Sequence, residues 1–183
     1  MTHYFSKTNA FTLIETLVAI SILTISIVAP MVLASQSLQS AYYARDQVVA
    51  ENLAQEAIEA VRSVRDGQVL LIAKTANASG IDLFGSIPID QDFTVDPTKN
   101  IGAMMSVCNG RCAALQTDGI LYGYNSGWTS TQFVRTVHVA YVAGTTDEVR
   151  VQVTVAWKTQ NLPSRTFTIS ENMYRWVSDG SGT

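Results

Sequence analysis

The chain has 183 residues, 47% of them hydrophobic and 15% charged, with two cysteines and a formal net charge of −3. That length holds one compact domain plus one extension. The apolar content excludes intrinsic disorder, two cysteines exclude a disulfide-built scaffold, and 12 Lys+Arg against 15 Asp+Glu leave no basic footprint for nucleic acid. The only long apolar run covers residues 11–34, which excludes a polytopic membrane architecture.

As a helix rising about 1.5 Å per residue, that run reaches about 36 Å, against a hydrocarbon core of about 30 Å, and predicts one membrane crossing. Lys7 and the initiator amine precede it and favour a cytoplasmic N-terminus. A cleavable secretory signal has a shorter apolar region, although Val32-Leu33-Ala34 before Ser35 is a weak match to its cleavage site. A buried core helix fails on length and on lack of amphipathicity. A plain signal anchor leaves Glu15 unexplained. Between Lys7 and Arg45 it is the only formally charged side chain. A carboxylate inside a membrane segment costs on the order of 2–3 kcal/mol on insertion scales, less near the interface, and usually marks a function or a partner.

The stretch Lys7-Thr8-Asn9-Ala10-Phe11-Thr12-Leu13-Ile14-Glu15-Thr16-Leu17-Val18-Ala19-Ile20 resembles the class III signal of type IV pilins and pseudopilins. The resemblance implies a leader of residues 1–10, cut between Ala10 and Phe11 on the cytoplasmic face by a membrane prepilin peptidase/N-methyltransferase. Phe11 then becomes the N-methylated first residue, and Glu15 the acidic residue used in subunit assembly. Ala10 stands where the family more commonly has glycine. The further partners implied are other pilin or pseudopilin subunits and an inner-membrane assembly platform with its ATPase. The implied location is the inner membrane, N-terminus cytoplasmic and C-terminal domain outside, followed by a cell-surface or periplasmic filament. Independently, cleavage before Phe11 creates an ammonium group four residues from Glu15 on the same helix face. In stacked subunits the amine of one helix can meet the carboxylate of the next, offsetting two charges otherwise stranded in apolar surroundings.

Residues 35–66 contain no Gly or Pro and predict a continuing amphipathic helix. Its apolar stripe is Leu38, Tyr42, Val49, Leu53, Ala57, Val61 and Val64, and Glu59 is placed to pair with Arg62. Arg62 and Arg65 suit the negative end of the macrodipole, with Gly67 as the stop. Pro30 is expected to bend or loosen the membrane half.

Residues 67–110 are broken by Gly67, Gly80, Gly85, Pro88 and Pro97 and read as a variable connecting region, with short apolar pieces at Val69-Leu70-Leu71-Ile72 and Phe93-Thr94-Val95. Asp90, Asp92 and Asp96 invite a calcium reading, but Thr94 and Val95 stand where an EF-hand needs other residues, so they read as loop carboxylates. Cys108 and Cys112 bracket a Gly-containing loop. Behind an export-type N-terminus they read as a disulfide rather than a reduced pair, and a metal site would need ligands beyond His3 and His138.

Residues 111–183 read as an antiparallel sheet. Residues 113–116 and 120–124 flank the hairpin turn Thr117-Asp118-Gly119. Strand patterns follow over residues 133–143, 148–158 and 165–171, with Val149, Val151, Val153, Val155 and Trp157 on one face. The expected fold class is α+β, a long N-terminal helix packed on a small antiparallel sheet of pilin type. The Phe133-Val134-Arg135 stretch, Trp157 and Tyr174-Arg175-Trp176 are also similar to minor pilins.

No nucleophile elbow, P-loop or HExxH occurs, so an enzyme is not expected, nor a cofactor or a metal. His138 reads as a half-buried strand residue. Asn109-Gly110-Arg111 reads as a tight turn, with an exposed recognition tip as the alternative. Tyr122, Tyr124 and Trp128 read as packing against the sheet edge rather than as a ligand surface. The expected function is that of a structural filament subunit. The alternative is a single-pass, membrane-anchored extracellular binding domain that does not polymerise.

Overall fold

The computed structural model describes residues 11–74, 82–159 and 162–175. Helix α1 runs from Leu13 to Lys74 and contains Pro30. The chain through Tyr43 forms one compact unit and the chain from Ala44 another, each with its own internal contacts.

In the first unit the helix is solvent-exposed through residue 41, with side chains such as Leu13, Ile25 and Met31 at 82%, 68% and 73% exposure. An 18-residue window of mean hydropathy 2.5 has none of its residues buried, and one apolar helix of this kind fits a membrane anchor.

In the second unit α1 is amphipathic. Ala50, Ala54, Ala57 and Val61 are fully buried, and Leu53, Ile58 and Val64 nearly so. Four alanines, Ala50, Ala54, Ala57 and Ala60, lie on the buried face of the helix. The helix does not stop at Gly67 as the sequence suggests. It continues through Val69-Leu70-Leu71-Ile72 to Lys74, because Ile72 is buried and Gly67 lies against Ile101, where an added Cβ would meet Cδ1 at 3.6 Å. A mid-helix glycine costs about 1 kcal/mol, which burial of one isoleucine offsets. Arg62 and Arg65 are therefore mid-helix, and their partners are side chains rather than the helix end. Arg62 bonds Glu59 at 2.6 Å and reaches Glu171, while Arg65 bonds Asp66 at 2.7 Å.

The described strands are β1 (Asp92–Val95), β2 (Met105–Val107), β3 (Ala114–Thr117), β4 (Tyr122–Gly123), β5 (Thr129–Tyr141), β6 (Glu148–Trp157) and β7 (Arg165–Tyr174). All their pairings are antiparallel, in one sheet. The long strand β5 is the spine. One of its edges carries β3 and then β4 along the first half, and β1 and then β2 beyond; the other edge carries β6 and then β7. The expected meander is β5-β6-β7, with Val153 paired to Val137 on one side and Ile169 on the other. The connecting region contributes β1 and β2 to the sheet, which its glycines and prolines conceal.

Alternation sorts the two faces. Val137, Val139, Val149, Val151, Val153 and Val155 are fully buried, while Arg150, Gln152 and Ser170 face water. Tyr122 packs edge-to-face on Phe133 with ring centroids 6.4 Å apart, so this aromatic is packing, as expected.

Candidate functional site

The N-terminal end of α1 is built by a local hydrogen-bond pattern. Thr12 precedes the first helical residue, and its hydroxyl accepts from the Glu15 main-chain nitrogen at 3.3 Å, while its carbonyl accepts from the nitrogens of Glu15 and Thr16 at 3.1 and 3.2 Å. Thr12 and Glu15 thus stand at the spacing of a capping box, and the Glu15 carboxylate lies in the first turn, where the helix dipole favours negative charge. Phe11, at 75% exposure, directly precedes Thr12. Ala10, the other half of the expected cleavage site, lies outside the described residues.

Polar side chains further along the apolar stretch are satisfied within the helix. The hydroxyls of Thr16, Ser21, Thr24 and Ser26 donate to the carbonyls of Leu13, Leu17, Ser21 and Ile22 at 2.8–2.9 Å. No stranded hydroxyl therefore opposes transfer of this face into lipid. Glu15 is left as the one charged side chain among residues 11–43. A new ammonium at Phe11 would sit one turn below it, giving each helix tip one cation and one anion.

The second feature expected from sequence is present as drawn. Cys108 and Cys112 form a disulfide with their Cα atoms 5.0 Å apart. Cys112 is buried, the Cys108 nitrogen donates to the Asp92 carbonyl at 2.8 Å, and Asn109, Gly110 and Arg111 form an exposed apex with Gly110 at φ +87°. His138 lies half-exposed on β5 with Nδ1 2.9 Å from Asp92 Oδ1.

Two of the three carboxylates offered as calcium ligands have other partners, Asp92 in His138 and Asp96 in a set of hydrogen bonds. Asp96 is buried and accepts from the Thr98 hydroxyl at 2.6 Å and the Tyr124 nitrogen at 2.9 Å, with Lys99 Nζ at 3.2 Å. Burial alone would raise its pKa, but these hydrogen bonds outweigh it and hold the carboxyl below its ordinary value. Tyr124 is packed beside this group, and burial pushes its phenol up to about 12.

Sequence reasoning missed three buried polar groups that hold the second unit together: Asp96, Arg135 and Asp46. Arg135 on β5 is fully buried, and Asp46 on α1 accepts from Gln132 Nε2 at 2.8 Å and the Thr159 hydroxyl at 2.7 Å. A signal for Arg135 exists, since in Phe133-Val134-Arg135-Thr136-Val137 the arginine falls on the apolar phase of the alternation. Glu56, on α1, is its ion-pair partner.

A search of curated proteins and of solved structures found no match. A family model, the prokaryotic N-terminal methylation motif, matches residues 5–29, which include the Phe11–Glu15 helix tip and the apolar turns that follow it. The chain therefore carries, in residues 5–29, the prokaryotic N-terminal methylation motif typical of type IV pilins and pseudopilins.

Proposed function

We propose that the chain is a structural subunit of a type IV pilus-like or type II secretion pseudopilus filament. The precursor enters the inner membrane by its apolar helix with the N-terminus in the cytoplasm. The prepilin peptidase/N-methyltransferase removes residues 1–10 at the Ala10–Phe11 bond and methylates the Phe11 amine. The observation that carries this reading is the methylation motif over residues 5–29, whose residues from Leu13 onward lie on an exposed apolar helix with a single carboxylate, Glu15, in its first turn.

Assembly then pairs the Phe11 ammonium of one subunit with the Glu15 carboxylate of its neighbour and sets the stagger of the helices. Leaving lipid for a helix bundle has little hydrophobic drive of its own, so extraction requires work from the ATPase of the assembly platform.

The test is intact mass and N-terminal sequencing of membrane-extracted protein, made with and without a prepilin peptidase. A peptidase-dependent start at Phe11 carrying about 14 Da of added methyl is the expected result. A start at Met1 in both preparations overturns it in favour of a non-polymerising membrane-anchored binding domain.

A further inference from the structure

The sequence contains one Asn-Gly pair, Asn109-Gly110, and three Asp-Gly pairs, of which Asp66-Gly67 and Asp118-Gly119 lie among the described residues. A side-chain carbonyl followed by glycine is open to ring closure, because glycine has no Cβ to obstruct its main-chain nitrogen as it approaches that carbonyl.

The three described pairs differ in how firmly their reacting groups are held. Asp66-Gly67 is inside α1, and Asp66 Oδ1 accepts from Arg65 Nε and Nη2 at 2.9 and 2.7 Å. At Asp118-Gly119 both reacting groups are tied. Asp118 Oδ1 accepts from the nitrogens of Ile120 and Leu121 at 2.9 and 2.8 Å, and the Gly119 nitrogen donates to the Thr117 hydroxyl at 2.9 Å.

Asn109-Gly110 has no comparable lock. Both residues are exposed, the Asn109 carboxamide makes no hydrogen bond to the described residues, and nothing lies within 4 Å of the position a Gly110 Cβ would take. Within the apex the Gly110 nitrogen donates to the Cys108 carbonyl at 3.1 Å in a three-residue turn. The feet of the loop are fixed by the disulfide, by buried Cys112 and by the Cys108–Asp92 main-chain bond, and the apex stands in solvent.

We infer that Asn109 is a site of spontaneous deamidation, at which closure by the Gly110 nitrogen converts a neutral carboxamide at the apex of the Cys108–Cys112 loop into a carboxylate. The Gly110 nitrogen loses its proton to solvent base and bonds to Asn109 Cγ, while the Cγ–Nδ2 bond breaks and ammonia leaves. Water then opens the succinimide. Attack at Cγ regenerates the original main chain with aspartate, and attack at the main-chain carbonyl leaves isoaspartate, with the chain rerouted through the Asn109 Cβ. Water is the only co-reactant, and no oxidation state changes. The new carboxylate arises two residues from the exposed Arg111, so the apex passes from net positive to neutral.

The test is peptide mapping of the full chain in detergent micelles, disulfide intact, sampled over days in mildly alkaline buffer. The expected result is a gain of about 1 Da confined to the peptide spanning residues 108–112, growing faster as pH rises. Isoaspartate at that position, detected by isoaspartyl methyltransferase labelling, should exceed aspartate, and the signal should vanish in Asn109→Gln. Conversion of Asn125 or isomerisation of Asp118 ahead of Asn109 overturns the inference. So does an unchanged Asn109 under conditions that convert a linear peptide of the same sequence.

Discussion

Arg135 Nη1 donates to Glu56 Oε2 at 2.6 Å, across the boundary between the sheet and the helix that covers it. The same guanidinium donates to the Leu53 carbonyl at 2.9 Å and, through Nη2, to the Val95 carbonyl at 2.7 Å, so one side chain joins β5, β1 and α1. Its side chain is fully buried while that of Glu56 is 40% exposed. The arginine thus brings its charge into the core and meets a carboxylate still in contact with water. The Val95 carbonyl takes a buried donor from it, while the Leu53 carbonyl, mid-helix in α1, gains it as an additional one.

Replacing Arg135 with methionine keeps most of the apolar volume but leaves the Leu53 and Val95 carbonyls without that donor. The expected loss is about 1–3 kcal/mol, the cost of leaving the buried Val95 carbonyl unsatisfied. Glu56→Gln retains an acceptor and should cost about 1 kcal/mol, the pair being partly solvated. Thermal unfolding of the full chain in detergent, followed by tryptophan fluorescence, separates the two. Equal stability of Arg135→Met and wild type would show that the guanidinium is not what ties the layers.

Acid should loosen the second unit through Asp46 and Asp96. At Asp46 burial raises the pKa, but hydrogen bonds from Thr159, Arg45 and Gln132 outweigh it, so both carboxyls sit below their ordinary value when folded. The unfolded chain therefore binds more protons as pH drops below about 4. Their contribution is complete above that value and is lost as pH falls through the depressed folded values. Denaturant midpoints measured against pH should show this acid limb, and Asp96→Asn should be less stable at neutral pH with a shallower limb. An unchanged slope in that variant removes Asp96 from the account.

Two glycines offer a steric contrast. A Cβ at Gly123 would lie 2.7 Å from Asp96 Oδ1, on a carboxylate pinned by several hydrogen bonds, whereas a Cβ at Gly102 meets nothing within 4 Å. Gly123→Ala should cost about 1–3 kcal/mol and Gly102→Ala close to nothing. Matching melting temperatures for the two variants would mean that Asp96 can move aside.

Glu15→Ala and Glu15→Val should both insert in the membrane and lose residues 1–10 normally, yet enter filaments poorly. Neither change shortens the apolar helix, but each removes the anion proposed to meet the neighbouring Phe11 amine. Fractionation of sheared filaments, with processing checked on the same samples, gives the readout. Normal incorporation of both variants sinks the pairing.

The membrane-length helix, the methylation motif, the disulfide and the valine-rich β5-β6-β7 meander were legible because each depends on residues close in the chain: an uninterrupted apolar run, a short motif, a spacing of four, an alternation of two. The end of α1 was misread, since Gly67 has the right local chemistry for a stop and only the burial of Ile72 overrides it. The strands β1 and β2 were hidden for a related reason, being four and three residues long and stabilised by partners far along the chain. The same holds for the buried polar groups. Asp46 and Asp96 look like ordinary surface residues until the fold brings them Thr159 and Tyr124, and the apolar phase of Arg135 in its strand gains meaning only when Glu56 arrives as its partner. Sequence alone determined which segment fits a membrane anchor, because transfer into lipid is a property of consecutive side chains. Tertiary structure alone decided which charges lie inside the C-terminal unit, because a buried charge is tolerated only where distant residues supply its hydrogen bonds.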